Sequence, residues 1–399
     1  METVKNSVQN VNINGKNAGA ALRAQLSKID IRAYAMVAAL LAIWIFFGVL
    51  NDTFLSARNM SNLFTQMAVT SILAIGMVLI IVAGHIDLSV GSVVGLTGGV
   101  AAILSTWMGE PTSVVIAGTL AAGFVIGLVQ GSLIAYGNIP AFIVTLGGML
   151  AFRGVLMSIT KSTTISVSDP AFLMIGSAYF APGFGLILGG AAILAIVYSI
   201  WRKRTARMKY GFDVSPLYRD VLKMVLYSSL VLAFVFAMNA YKGIPFPIAF
   251  VIIAAILFSF VANRTKFGRH VYAIGGNLEA ARLSGINIKI RVLILFVLMG
   301  LLSAVAALIL TSRLGSATIS AGQNYELDAI AAAVIGGTSL MGGAGTIVGA
   351  LIGALVMSSL DNGMSLIGLE TFWQYIVKGT ILVLAVWFDI ASRQKKKLK

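Results

Sequence analysis

QMAVTSILAIGMVLIIVA, residues 66–83, carries no formal charge, and its reading decides the fold. As a helix rising 1.5 Å per residue it would be about 27 Å long, close to the hydrocarbon thickness of about 30 Å. A large soluble core could hide one such run, but not a dozen. Comparable runs recur at 33–50, 66–83, 88–109, 113–136, 140–160, 183–201, 222–240, 245–262, 291–311, 326–343, 346–362 and 371–389. Of 399 residues, 58% are hydrophobic and 11% charged, where a soluble domain carries about a quarter charged. The sequence therefore predicts an all-α, polytopic integral membrane protein with about 10–12 transmembrane helices.

The range in that count comes from glycine. Gly91, Gly95, Gly98 and Gly99 fall within 88–109, and Gly336, Gly337, Gly342, Gly343, Gly345, Gly349 and Gly353 within the pair 326–343 and 346–362. These segments read as broken or re-entrant helices, whose freed backbone groups must line a buried or watery cavity.

Charge gives the topology. The net charge is +15, and 23 of the 29 basic residues sit in four clusters: five from Lys5 to Arg32, seven from Arg202 to Lys223, six from Arg264 to Arg291 and five from Arg393 to Lys399. Six runs separate the first cluster from the second, two the second from the third, and four follow. Every interval is even, so all four clusters fall on one side, cytoplasmic by the positive-inside rule and not the patch of a nucleic-acid binder. The polar stretch 1–32 reads as a cytoplasmic tail without a signal-peptide pattern. The transmembrane domain then spans 33–390, with 391–399 a second cytoplasmic tail. Cysteine is absent, and His85 and His270 are too few for a metal site.

The two internal basic segments read differently. Segment 202–223 is expected to be a solvated loop between helices. In the 263–290 loop, Asn277 precedes Leu278-Glu279-Ala280-Ala281-Arg282-Leu283, a run of helix formers closed by Ser284-Gly285. Asn is a favourable N-cap and Gly a favourable stop, which predicts one short helix at the membrane surface.

That stretch, Gly275-Gly276-Asn277-Leu278-Glu279-Ala280-Ala281-Arg282-Leu283-Ser284-Gly285-Ile286-Asn287, resembles the cytoplasmic coupling segment of permease subunits in bacterial monosaccharide ABC importers of the ribose/xylose/galactose type. Three further stretches are similar to the same family: Ile86-Asp87-Leu88-Ser89-Val90-Gly91-Ser92, Pro140 to Gly147 and Ala333 to Leu340. The resemblance covers roughly 33–390. Met149 to Gly154, Leu360 to Ser365 and Thr371 to Gly379, with the extra helix pair around 183–240, resemble the xylose type most.

The resemblance implies a division of labour: a periplasmic sugar-binding protein delivers xylose or a similar pentose or hexose, two permease copies form the path, and a cytoplasmic ATPase drives it. The chain has no G-x-x-x-x-G-K-[ST] phosphate loop, so ATP and Mg are expected on the ATPase, with no cofactor or metal on this chain and no catalytic residue. Coupling is assigned to Glu279, Ala280, Ala281, Arg282, Leu283, Ser284 and Gly285: small residues for close docking, Leu283 to fill a groove, Glu279 and Arg282 to pair across the contact.

A neutral polyhydroxyl substrate needs hydrogen-bond partners and no fixed charge. Path candidates are the polar residues in or beside spans: Asp87, Ser89, Ser92, Thr97, Thr145, Arg153, Asn324, Glu326, Asp328, Thr338, Ser339, Asp361 and Asn362. Charges in a span are costly and face a partner or a cavity. Ser and Thr in spans bond more often to helix backbone, and Asp87 suits the N-terminal dipole of the 88–109 helix. Trp44, Trp107, Trp373 and Trp387 read as interface anchors. The rival is a secondary, ion-coupled transporter using Arg153, Asp328 or Asp361. An intramembrane enzyme or a channel lacks a matching motif.

Overall fold

The structure is a computed structural model that describes residues 31–397. The predicted N-terminal tail therefore lies outside the described residues, save for its last two positions. The chain begins with helices α1 (Ile31–Leu50), α2 (Ala57–Val82), α3 (Val90–Ala102, continued by a π turn over Ile103–Trp107), α4 (Thr112–Ala135) and α5 (Ala141–Ile159). There follow β1 (Ile165–Ser166), a short α6 (Pro170–Ser177), β2 (Tyr179–Phe180), α7 (Pro182–Lys209), α8 (Leu217–Asn239), β3 (Ile244–Pro245) and α9 (Phe246–Arg264). The remainder is α10 (Lys266–Gly276), α11 (Leu278–Leu283), α12 (Ile288–Leu314), β4 (Ser316–Ala317), α13 (Tyr325–Ile335), α14 (Ile347–Leu366) and α15 (Thr371–Lys397). Among the described residues, ten helices are long and apolar enough to cross a membrane.

The run 66–83 lies in the most enclosed of them. Every residue from Met67 to Ala83 is buried, as expected of a helix that is apolar all round. Ser56 starts α2 by accepting from the Asn59 N–H, and α12, α13 and α14 wrap it. Helices α4 and α12 lie backbone to backbone. A Cβ on Gly123 would strike Gly300 O, one on Gly127 would strike Phe296 O, and one on Gly131 would crowd Leu293. Three glycines four residues apart thus make a flat face for close helix approach.

The connections sort to two ends. At one, β1 pairs with β4 and β2 with β3, Thr112 Oγ1 donates to Asp169 Oδ2, and Asn51 Nδ2 donates to Leu366 O. At the other, Gly343 N donates to Val82 O (2.9 Å), and Met36, Gly337 and Asp389 line one cleft. The start of α1 and the late part of α15 therefore share an end with the 210–216 elbow and the α10–α11 connection. Among the described residues the path traverses the bundle twelve times, and one traverse, 315–346, is broken.

Three predicted spans change shape. The 88–109 helix is not broken; it runs from Val90 into the π turn. The 326–343 helix stops at Ile335, because Gly336-Gly337 follows and Gly337 takes φ +89°. The 346–362 helix is continuous to Leu366. The 202–223 loop is mostly helix: α7 continues to Lys209, since RKRTARMK contains no breaker before Gly211, and α8 starts directly after Pro216. The 263–290 loop holds two helices rather than one. α10 starts at Thr265, whose hydroxyl accepts from Gly268 N (3.2 Å).

Candidate functional site

Three irregular stretches meet part-way along the bundle. The first is the 83–89 link between α2 and α3. Asp87 Oδ1 accepts from Ser89 N (2.8 Å) and Ser89 Oγ (2.7 Å), and Ser89 Oγ accepts from Gln130 Nε2 (2.9 Å). All three side chains are buried. Asp87 therefore stands at the start of α3 as expected, but it holds Ser89 in a turn and does not cap the free N–H groups. Gln130 lies five residues before the end of α4, so α3 begins about 7 Å inside the bundle at 1.5 Å per residue.

The second stretch is 315–324, which returns into the bundle instead of crossing its surface. Gly91 and Gly322 touch so closely that a Cβ on either would strike the other's carbonyl oxygen. The third is the start of α13. Asn324 precedes it in the left-handed region (φ +65°), and buried Glu326 and Asp328 occupy its first turn, where carboxylates complement the dipole. Arg153 of α5 ties these parts together. Its Nη1 donates to Ile319 O (2.7 Å) and Ala321 O (2.9 Å).

Ser92, Arg153, Ser320, Gln323, Asn324 and Glu326 line the resulting cavity of about 440 Å³, with Met149, Leu150 and Met157 on its apolar side. Gln323 and Asn324 also border a second cavity of about 420 Å³ with Asp328, Tyr375 and Lys378. Lys378 Nζ bridges Asp328 (3.0 and 3.1 Å) and Asp361 (2.9 Å). Both volumes fall within the range of small-molecule pockets, and amide, hydroxyl and guanidinium groups on one wall with thioethers on another suit a neutral, hydroxyl-rich ligand.

Of the predicted path residues, Ser92, Arg153, Asn324, Glu326 and Asp328 thus converge. Asp87 and Ser89 brace the adjoining turn. Thr97 and Thr145 donate to their own helices, at Val93 O (2.7 Å) and Ala141 O (2.9 Å), as hydroxyls in spans commonly do. Asn362 exchanges two hydrogen bonds with Asn59 (2.7 and 3.0 Å) away from the cavities. Thr338 and Ser339 are buried in the 336–346 connection, where Ser339 Oγ accepts from Met341 N. Trp44 Nε1 donates to Ser359 Oγ (2.9 Å), a helix–helix contact.

Residues 59–386 match the family described as "Branched-chain amino acid transport system / permease component". The chain belongs to this permease family. It is 49% identical over 372 residues to the "Xylose transport system permease protein XylH" of Haemophilus influenzae, covering 93% of this chain and 99% of that one. The protein of the same name from Escherichia coli K12 is 48% identical over 371 residues, 93% and 94% of the two chains. The "Ribose import permease protein RbsC" of Escherichia coli K12 is 36% identical over 351 residues, 88% and 91%. No solved structure matches the chain. The protein is thus a multi-pass permease of the bacterial inner membrane, a transport component and not an enzyme.

At the end of the bundle opposite the β pairs the permease presents α10 and α11. Asn277 Oδ1 accepts from Ala280 N (3.0 Å) and Gly285 turns the chain at φ +76°, so the predicted cap and stop hold. Glu279, Arg282 and Leu283 are exposed, Leu283 by 87%, whereas Ala281 is 3% exposed and faces the permease itself. Ser284 Oγ donates back to Ala280 O (2.8 Å). Between this helix and the bundle runs a groove of about 640 Å³ lined by His85, Asn138, Asn277, Glu279, Arg282 and Lys289. Burial, then Arg291, Arg269 and Lys266, holds His270 below its ordinary pKa, so it adds no charge to this surface at neutral pH.

α10 was not foreseen, and it makes the link inward. Tyr272 OH donates to Gly345 O (2.7 Å), and Gly275 seats against Val82 O and Gly343 N with no room for a side chain. The connection it grips, 336–346, directly follows α13. Gln130, Gln323, Tyr375 and Lys378 were also missed. Two of them had a signal: Gln130 is the one amide in the run 113–136, and Lys378 is the sole charge between Glu370 and Asp389.

Proposed function

We propose that this permease is the membrane-spanning subunit of an ATP-driven sugar importer that translocates a monosaccharide, xylose or a similar pentose or hexose. The observation that carries the reading is the cavity at the start of a half-helix, walled by Arg153, Gln323 and Asn324, in a chain 48–49% identical to xylose permeases. Broken helices in transporters place backbone and side-chain dipoles at a substrate site deep in the membrane. Sugar is delivered by a periplasmic binding protein, and ATP and Mg belong to a cytoplasmic ATPase docked on α11. The start of α1 and the late part of α15 share one end of the bundle with the basic elbows, which supports a cytoplasmic location for both termini.

A second copy completes the path. Phe142, Ile143, Leu146 and Leu150 are exposed along α5, Gly147 and Gly154 have open space beside them, and Leu150 also lines the cavity. A homodimer meeting on α5 would put the cavity between subunits. ATPase closure on α11 moves α10, and the Tyr272–Gly345 and Gly275–Gly343 contacts carry that motion to the 336–346 connection and α13. The ion-coupled alternative would recruit Asp328 and Asp361, but both already face Lys378.

Reconstitution into liposomes with the ATPase and binding protein tests the proposal. Xylose uptake should require ATP, and hydrolysis should rise with sugar-loaded binding protein. Uptake that proceeds without ATP and collapses on adding an uncoupler would overturn it.

A further inference from the structure

At 28 residues α7 is the longest helix among the described residues. It measures about 42 Å at 1.5 Å per residue against a hydrocarbon core of about 30 Å. The surplus lies at its C-terminal end, where an apolar sequence gives way to RKRTARMK over 202–209. Only Gly185 and Gly189 of α7 are buried, so the helix leans on α8 and leaves its other faces open.

The elbow between α7 and α8 is a built corner. Arg204 Nη1 donates to Ser215 O (2.8 Å) and Asp220 Oδ2 (2.7 Å), locking the two helices across the turn. With Asp220 so engaged, Arg202, Lys203, Arg207, Lys209, Arg219 and Lys223 stand exposed around it, and Asp213 is the only other acid in the segment. Just inward lies a collar of exposed Tyr198, Trp201 and Tyr227, and below that exposed Leu194 and Leu230. Tyr and Trp with a wet tip and an apolar body mark the membrane–water boundary. The order along both helices is therefore acyl-facing, boundary, then cationic.

We propose that this corner is a binding site for anionic phospholipid head groups, with Arg207, Lys209 and Arg219 as principal contacts. The inference is independent of what the permease transports. An acidic protein would match the charge but not the aromatic collar and the apolar faces beneath it, which are continuous with the basic surface on the same two helices. Anionic lipid matches all three levels at once. A rigid corner also holds the cations together, so that less side-chain and loop freedom is lost on binding.

The test uses the full-length permease in detergent, with phosphatidylglycerol and phosphatidylcholine as probes and retained lipid read by native mass spectrometry. Each Lys or Arg at an anionic surface contributes roughly a fivefold factor, so R207Q/K209Q/R219Q should lower phosphatidylglycerol retention by roughly a hundredfold while leaving phosphatidylcholine unchanged. A charge-matched control, R264Q/K266Q/R269Q, should retain it. Equal retention by wild type and the first variant, or equal loss from the control, overturns the proposal. So does unchanged lipid retention accompanied by loss of the co-purifying ATPase, which would make the corner a protein contact. Should the triple variant not insert, K209Q and R219Q singly carry the same test at roughly fivefold each.

Discussion

Lys378 Nζ lies 3.0 and 3.1 Å from the two carboxylate oxygens of Asp328 and 2.9 Å from Asp361 Oδ1. One amine on α15 thereby holds one acid on the half-helix α13 and another on α14, inside a membrane bundle. Removing one partner of a buried pair leaves an uncompensated charge and costs roughly 3–5 kcal/mol. Lys378→Met should therefore lower the thermal stability of the detergent-solubilised permease sharply, because two carboxylates lose their counter-ion. Asp361→Asn should be milder, since Asp328 keeps both oxygens on Lys378. Unfolding followed by fluorescence-detected size exclusion checks the order, and a Lys378→Met variant as stable as wild type would remove the triad from the structural account.

Arg153 is a second intramembrane charge held by the bundle. As a lone cation in an apolar run it suggested an ion pair or a substrate contact. It lines the cavity and also fastens the carbonyls of Ile319 and Ala321. Hydrogen bonds to charged groups contribute about 1.5–3 kcal/mol, so Arg153→Gln should cut xylose uptake by about ten- to a hundredfold while insertion and folded yield stay near wild type. Arg153→Lys, which can reach one carbonyl but not span two, should fall between. Uptake assays normalised to folded permease decide this.

What the sequence made legible was whatever depended on local composition. Apolar runs located the spans, interval parity placed the two internal basic segments at one end, and Asn277 with Gly285 located α11. What it hid depended on contact between distant segments. Gly336-Gly337 could be read as packing glycines or as a break, and only the approach of 336–346 to Val82 and Gly275 requires the break. Gln130 stands out as the one amide in its run, but only the contact with Ser89 gives it a role. α10 escaped because KFGRHVYAIGG mixes three glycines with polar and β-branched residues, a poor helix by propensity that its packing on α2 and the 336–346 connection stabilises. Segment 202–209 departs from expectation for the opposite reason: its charge suggests solvent and a loop, while its residues are good helix formers.

The grip of α10 on the broken traverse should be separable from folding. Tyr272→Phe deletes one hydrogen bond, to Gly345 O (2.7 Å), worth about 0.5–1.5 kcal/mol. The expected result is a permease that inserts and supports ATP hydrolysis but imports less sugar per ATP, by a factor of about two to ten. Gly275→Val is a different experiment, because a Cβ there meets Val82 O, and loss of folded protein is expected. A Tyr272→Phe variant with wild-type coupling would show that the hydrogen bond transmits nothing.

The residues of α11, proposed to dock the ATPase, divide by the side they face. Leu283 is 87% exposed and Ala281 3%, although they lie two residues apart in one short helix. Leu283→Glu buries nothing and exposes nothing new within the permease, so its stability should stay within about 0.5 kcal/mol of wild type, while an apolar groove on the ATPase would reject the carboxylate and binding should be lost. Ala281→Phe instead forces a ring into the permease itself, where overpacking costs about 1–3 kcal/mol, so it should lower stability before it affects docking. Gly285→Val is strained at φ +76° and should disturb the exit from the helix, with both properties reduced. Pull-down of the ATPase set against thermal stability for the three variants separates the faces. If Leu283→Glu binds the ATPase as wild type does, the partner does not dock on α11.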